Sequence, residues 1–167
     1  MRVATFDIEA DGLYHQVTKI HCMAIQVIED DKETNVELFT DIDQAVDVLR
    51  SCDLIVAHNG INYDVPVLEK FGYTIDVPIH DTLLISKLAC PDMLMKDQNR
   101  KSVPPRLKGS HSLKAWGYRL RKLKGDFHEE ADWSVYTEAM GEYCIQDVAV
   151  TTALYKKLKE YGTPEKA

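Results

Sequence analysis

The chain has 167 residues and a formal net charge of −7, with 45% hydrophobic and 28% charged residues. This size and composition predict one globular domain over residues 1–167 with a core of ordinary size. We find no apolar run that could span a membrane and no signal-peptide pattern, so we expect no membrane partner and a cytoplasmic location. The four cysteines have neither zinc-binding nor disulfide spacing, which predicts buried, reduced thiols.

The first half of the chain is predicted to mix strands with helices. Three strands come first, at residues 3–9, 19–28 and 35–40, with a polar hairpin turn between the last two. A helix with Asp41 as its N-cap follows over 41–52. Residues 53–60 form a short apolar strand, and a helix over 64–72 ends near Gly72.

The second half is predicted to be mainly helical. Residues 78–90 start as a short strand and continue as a helix, whereas 91–109 lack periodicity and are predicted to be a long mobile loop. Helices follow at 110–123 and at 134–161, the latter in one piece or two and stopping at Gly162. This order predicts an α/β fold in which helices cover a mixed sheet.

Asp7 and Glu9 stand two residues apart at the end of the first predicted strand. Alternate strand residues point to the same side, so their carboxylates project together. Two unpaired carboxylates this close repel each other unless a cation lies between them. Taken alone, the pair is equally consistent with an exposed sheet edge that carries two acids.

Two further acids lie later in the chain, one at the start of a predicted helix and one within a predicted helix. Asp64 begins a helix directly after the apolar strand, where it could simply be an N-cap. Tyr143 and Asp147 are four residues apart on a helix, so they share one face and could form a surface hydrogen bond. Together with Asp7 and Glu9, these acids make a set of hard oxygen ligands that suits Mg²⁺ or Mn²⁺.

The segments "FDIEADGL", "HNGINYD" and "YCIQD" resemble the three motifs of the 3′–5′ exonuclease superfamily, in its Asp-Glu-Asp-Asp-Tyr (DEDDy) branch. Longer segments, among them "LIVAHNGINYDVPVL", resemble more specifically the proofreading exonuclease domain of phage family A DNA polymerases. The resemblance implies a ribonuclease H-like fold, with a five-stranded mixed sheet and helices on both faces. The resemblance covers no polymerase domain, so the chain is either a free-standing exonuclease or an excised domain, and both interpretations stay open.

The resemblance also implies residue roles. Asp7, Glu9 and Asp147 would hold one of two divalent cations (Mg²⁺ or Mn²⁺), Asp7 would bridge to the second with help from Asp64 through water, and Tyr143 would orient the attacking water. Leu13 would wedge against the terminal bases, and the backbone around Ile8, Glu9 and Ala10 would hold the terminal 3′-hydroxyl.

One position departs from many relatives of the superfamily. Their Asn four residues before the middle Asp is replaced here by Gly60, and the Asn is Asn59 instead. His58 and Asn59 remain candidate substrate-binding residues whose roles are open.

Residues 96–125 contain ten Lys or Arg and one acid, Asp97, so this segment carries +9 and the rest of the chain −16. A basic segment on an acidic body suits the phosphates of a bound strand. Arg100, Lys101, Arg106 and Lys108 are the candidate phosphate contacts. A surface that docks on a separate DNA polymerase is the rival interpretation, and Trp116 is predicted to pack in the core.

The first functional hypothesis is a metal-dependent exonuclease that acts on the 3′ end of single-stranded or frayed DNA and releases 5′-mononucleotides. Such an enzyme would work in phage DNA replication, in the cytoplasm of the bacterial host. Two alternatives remain: an enzyme that trims RNA with the same site, and a non-catalytic module that docks on a polymerase. Tolerance of the 2′-hydroxyl separates the first two.

Overall fold

The computed structural model describes residues 1–122 and 132–161. Its six strands are β1 (Arg2–Ala10), β2 (Ile20–Glu29), β3 (Lys32–Glu33), β4 (Glu37–Phe39), β5 (Leu54–Ala57) and β6 (Ile79–Asp81). They form one sheet in the order β3-β2-β1-β5-β6, and β4 also pairs with β2. β1 pairs antiparallel with β2 and parallel with β5. The predicted mixed sheet is confirmed, and the two-residue strand β3 adds to the five expected strands.

Helices cover both faces of this sheet. They are α1 (Ile42–Arg50), α2 (Asp64–Lys70), α3 (Thr82–Ala89), α4 (Met93–Asp97), α5 (Leu113–Arg119) and α6 (Glu138–Glu160). Phe6 of β1 packs in one core cluster with Leu49 of α1 and Leu68 of α2. On the opposite face, Thr5 Oγ1 lies 2.5 Å from Thr152 Oγ1 of α6. Within the described residues, no helix is both long and apolar enough to cross a bilayer.

Local sequence signals explain where the early elements begin and end. Asp41 caps α1 by accepting a hydrogen bond from the Gln44 amide at 3.3 Å. Gly72 lies just past the end of α2 with φ +90°, a left-handed conformation that glycine adopts without a steric penalty. The Asp30–Asp31 turn between β2 and β3 also has positive φ at both residues, which matches the twist of a tight hairpin.

The predicted mobile loop at 91–109 is wrong. The segment contains α4 and a 3₁₀ turn at Pro105–Leu107. Asp97 is fully buried and accepts hydrogen bonds from Arg100, from Arg119 and from the Gly109 amide. Periodicity does not reveal this order because a buried ion-pair network, rather than an apolar stripe, holds the segment.

Two predicted helix boundaries are also wrong. α5 ends at Arg119 because Arg121 adopts φ +56°, which turns the Lys122 amide back to the Gly117 carbonyl. α6 begins at Glu138, not near residue 134, because Thr137 caps it. It is a single helix of 23 residues. The predicted stop at residue 162 lies outside the described residues.

Candidate active site

The end of β1 places Asp7 and Glu9 beside α6, in the middle of the sheet. Glu9 is 8% exposed and Asp7 is half-buried, so the interpretation of the pair as two acids on a solvent-exposed edge is wrong. Oxygen atoms of both carboxyl groups and Cys144 Sγ of α6 lie within 4.8 Å of one another. The Cys144 thiol donates to the Asp7 carbonyl oxygen at 3.4 Å and lies 3.7 Å from Asp7 Oδ2.

Asp64 reaches the same place from the first turn of α2. Its side chain is buried, and Oδ2 accepts a hydrogen bond from the Ile8 amide at 3.2 Å. The pairing of β1 with β5 ends at Thr5 and Val56, so Ile8 lies beyond the last residue of β1 that pairs with β5. Asp64 is therefore not the N-cap of α2, a position that Tyr63 occupies without a side-chain bond.

α6 contributes Asp147 and, one turn earlier, Tyr143. Asp147 is 6% exposed, so the alternative of a Tyr–Asp pair on a surface face is wrong. The charge of Asp147 acts on both Asp7 and Glu9. Tyr143 is half-buried, and its ring meets the Trp133 ring edge-to-face with 6.4 Å between centroids. The fold thus brings together acids from β1, α2 and α6.

Burial, together with the charges of neighbouring acids, raises the pKa values of Asp7, Glu9 and Asp64. Burial and the neighbouring Asp147 raise the pKa of Glu9 to about 8. Burial also raises the pKa of Asp64 to about 7, although the hydrogen bond from Ile8 opposes the shift. For Asp7, burial followed by the charges of Glu9, Asp147 and Asp64 raises the pKa well above its usual range.

The donor set fits a divalent cation. Oxygen ligands from carboxylates are the ones that Mg²⁺ and Mn²⁺ prefer, and the neighbouring charges that raise the pKa of Asp7 are other acids. A bound cation would supply the opposite charge and return these carboxyl groups to their ionised form. Asp7, Glu9, Asp64 and Asp147 are the residues that could hold it.

An open groove of about 360 Å³ adjoins Glu9. It is lined by Ile8, Glu9, Ala10, Asp11, Gly12, Leu13, Gln16, Tyr63 and Trp133. Leu13 is 72% exposed, an unusual position for a large apolar side chain. The Tyr63 hydroxyl donates to the Gly12 carbonyl at 2.7 Å and so anchors the rim. The groove thus combines an acidic end with aromatic and apolar walls.

His58 and Asn59 lie in a tight turn directly after β5. His58 Nδ1 lies 2.9 Å from Thr82 Oγ1, and Asn59 has φ +64°. The buried Asp81 carboxylate holds this turn by accepting from the amides of Asn59 and Ile61 at 2.9 and 3.2 Å. A side chain at Gly60 would place its Cβ 2.7 Å from the Ala57 Cβ, so close packing requires glycine there.

The basic candidates lie toward the far end of α6. The charge of Arg100 acts on Lys157, which is ten residues, or about 15 Å along the helix axis, beyond Asp147. Arg100 forms an ion pair with Asp97, and Lys108 donates to the Gln98 carbonyl. The remaining candidates, Lys101 and Arg106, are exposed.

Sequence reasoning did not identify several residues at the site. Cys144 lies against Asp7, and its thiol also interacts with that of Cys22. Its position in the sequence, one residue after Tyr143, could have indicated that Cys144 lies near the site. All four cysteines are buried and free, as predicted, and Trp116 is buried in the core. No local pattern pointed to Trp133 because its contacts are made across the fold.

Known proteins of similar sequence are phage polymerases. Over 95% of this chain, it is 32% identical to a DNA-directed DNA polymerase of Enterobacteria phage T3 and 33% identical to one of Escherichia phage T7. The chain spans 27% of the length of each polymerase.

Solved structures of similar fold include nucleases. Exonuclease X in complex with 5′ overhanging duplex DNA has a TM-score of 0.59 at 16% identity, with 98% of this chain and 95% of that one covered. The catalytic core of RRP6 from Trypanosoma brucei has a TM-score of 0.57 at 20% identity, with 95% and 41% covered. A family model described as the RNase H superfamily matches residues 4–159. The chain therefore belongs to the RNase H superfamily.

Proposed function

We propose that this protein is a metal-dependent 3′–5′ exonuclease that removes 5′-mononucleotides from the 3′ end of single-stranded or frayed DNA. The observation that carries the proposal is the convergence of Asp7, Glu9, Asp64 and Asp147 beside an open groove. The similarity to phage polymerases supports DNA as the substrate and a role in phage replication and proofreading, in the host cytoplasm.

The four acids would hold two divalent cations, Mg²⁺ or Mn²⁺. When bound, such ions lower the pKa of water and stabilise the charge that develops on the attacking and leaving oxygens. Tyr143 lies one helical turn before Asp147 and would orient the attacking water from that side. Leu13 would contact the terminal base from the rim of the groove.

The hydrogen bonds at β1 modify one expected role. The Ile8 amide is engaged by Asp64, so it is not available to hold a terminal 3′-hydroxyl. Ala10, which lines the groove together with Glu9, is the better placed of the backbone candidates. His58 and Asn59, in the turn that Asp81 fixes, would contact the strand beyond its terminal nucleotide.

RNA is the second candidate substrate. Solved structures of similar fold include Escherichia coli RNase D, described as an exoribonuclease involved in structured RNA processing, with a TM-score of 0.54 at 17% identity. The same carboxylate cluster would serve either polymer, since the 2′-hydroxyl is what distinguishes them at a site.

The test uses a 5′-labelled single-stranded DNA oligonucleotide and its RNA twin, each incubated with the protein and Mg²⁺ or Mn²⁺. We expect a ladder that shortens the DNA from its 3′ end and is absent with EDTA or in Asp7→Ala. Asp47→Asn, which neutralises an exposed acid on α1, is the matched control and should retain activity. Shortening of RNA alone would assign the second substrate. No shortening of either strand by folded, metal-bound protein would refute the proposal.

A further inference from the structure

The pairing of β1 with β2 contains an irregularity directly opposite the site. Glu9 pairs with Cys22, but the next residue, Ala10, pairs with Ile20, so His21 is an extra residue in β2. An extra residue of this kind interrupts the alternation of side chains and turns one of them in a new direction. The His21 side chain that results is 4% exposed.

The His21 imidazole reaches across the fold to the segment before α6. Its Nε2 lies 2.6 Å from the Trp133 carbonyl oxygen, a contact between residues 112 apart in the chain. A carbonyl oxygen only accepts hydrogen bonds, so Nε2 carries the proton in this contact. The bond holds the backbone of Trp133 beside β2.

Trp133 connects this contact to both parts of the site. Its ring meets Tyr143 at an interplanar angle of 74°, the edge-to-face geometry that aromatic pairs favour. The same residue lines the groove together with Leu13 and Tyr63. The second tryptophan, Trp116, is 3% exposed and packs in the core, so it offers no comparable surface.

We propose that His21 is a positioning residue that holds Trp133 against Tyr143 and keeps its ring as a stacking wall for the base at the 3′ end of the bound strand. This inference rests on the proposed exonuclease function. Stacking of a base on an aromatic ring tolerates any base, which suits an enzyme that removes successive nucleotides regardless of sequence.

The first test follows Trp133 itself and needs no activity. In a Trp116→Phe background, Trp133 is the remaining tryptophan, because the chain has two. We expect His21→Leu to shift its emission to the red and to increase its quenching by acrylamide at least twofold. His21→Gln keeps an N–H donor at similar reach and should preserve the parent values. Unchanged emission and quenching in a folded His21→Leu protein would refute the positioning of Trp133 by His21 (the tether), whether or not the protein is an exonuclease.

The second test concerns the base. A DNA oligonucleotide with 2-aminopurine at its 3′ terminus is bound in the presence of Ca²⁺, and a gel checks that it stays intact. We expect binding to quench 2-aminopurine in the parent protein and in Trp133→Phe, and much less in Trp133→Ala, which keeps the carbonyl that His21 contacts. With the cleavable DNA, Trp133→Ala should raise KM on the order of tenfold.

These outcomes separate the two proposals. If the parent protein degrades neither DNA nor RNA, the exonuclease assignment fails while the acrylamide measurement still decides the tether. If the parent protein is active but Trp133→Ala quenches 2-aminopurine as strongly and has an unchanged KM, the stacking role is refuted. Should His21→Leu not fold, the tether is decided by the Nε2–H signal of His21 in NMR spectra, which the proposal requires to be protected from exchange.

Discussion

Replacing Asp64 by Asn should stabilise the metal-free protein while abolishing its activity. The pKa of Asp64 rises from 3.8 to about 7 because the carboxyl is buried beside other acids. A group whose pKa is raised by folding favours the folded state most below its ordinary pKa, and this contribution is lost as the pH rises through the raised value. The contribution of Asp64 is therefore lost between about pH 4 and pH 7 in the wild-type protein, and Asp64→Asn removes this one loss.

The pKa shift of Asp64 sets the size of the expected gain in stability. At about 1.4 kcal/mol for each pKa unit, ionising the buried Asp64 costs on the order of 4 kcal/mol at pH 8. The Asn Oδ1 atom can still accept the hydrogen bond from the Ile8 amide, which limits the loss from the substitution itself. In a domain of this size such a gain raises Tm by on the order of 10 °C.

The assay is thermal unfolding in EDTA at pH 4, 6 and 8. We expect nearly equal Tm values at pH 4 and a growing advantage for Asp64→Asn up to pH 8. Asp97→Asn is the matched control, because Asp97 is equally buried but paired with Arg119. Burial would raise the pKa of Asp97, but the hydrogen bonds from Arg119 and Gly109 outweigh it and lower that pKa. This control should lose about 3–5 kcal/mol. Equal or lower stability of Asp64→Asn at pH 8 would refute the reasoning.

Three other substitutions probe the cluster, the turn and the basic segment. The pKa of Glu9 is raised to about 8, so Mn²⁺ affinity measured by calorimetry should increase as the pH rises toward 8. Glu9→Gln should weaken Mn²⁺ binding, and equal affinities of the variant and the wild-type protein would contradict a ligand role for Glu9. Gly60→Ala should cost about 1–3 kcal/mol in urea unfolding, because its Cβ would lie 2.7 Å from that of Ala57, and a neutral result would mean that the turn relaxes. Lys101→Ala and Arg106→Ala should each reduce the salt dependence of oligonucleotide binding, by about 0.7 in the slope of log K against log salt. Unchanged slopes would place the strand elsewhere.

Much of the fold was predictable because it depends on local patterns. The alternation in β1 placed Asp7 and Glu9 on one side of the strand, and the spacing of Tyr143 and Asp147 placed them on one helical face. Caps and glycines marked helix ends, as at the N-cap Asp41 and at Gly72, which adopts a positive φ. Each of these signals lies within a few residues of the feature that it predicts.

The errors arose where distant contacts decide the structure. Residues 91–109 contain too few periodic apolar residues to predict α4, yet the buried pairing of Asp97 with Arg119, 22 residues away, orders them. The alternative that Asp64 is simply a helix cap is wrong for a similar reason, since its donor, the Ile8 amide, belongs to a strand 56 residues earlier.

By itself, the sequence determined which side chains could serve a metal site and which way each points from its own element. Those properties follow from the chemistry of carboxylates and from backbone periodicity. The tertiary structure alone decided that β1 is a central strand, that acids from three elements meet there, and that His21 contacts Trp133. These outcomes depend on strand order and on one extra residue in β2. His21 and Trp133 are 112 residues apart, so their contact leaves no signal in the sequence around either residue.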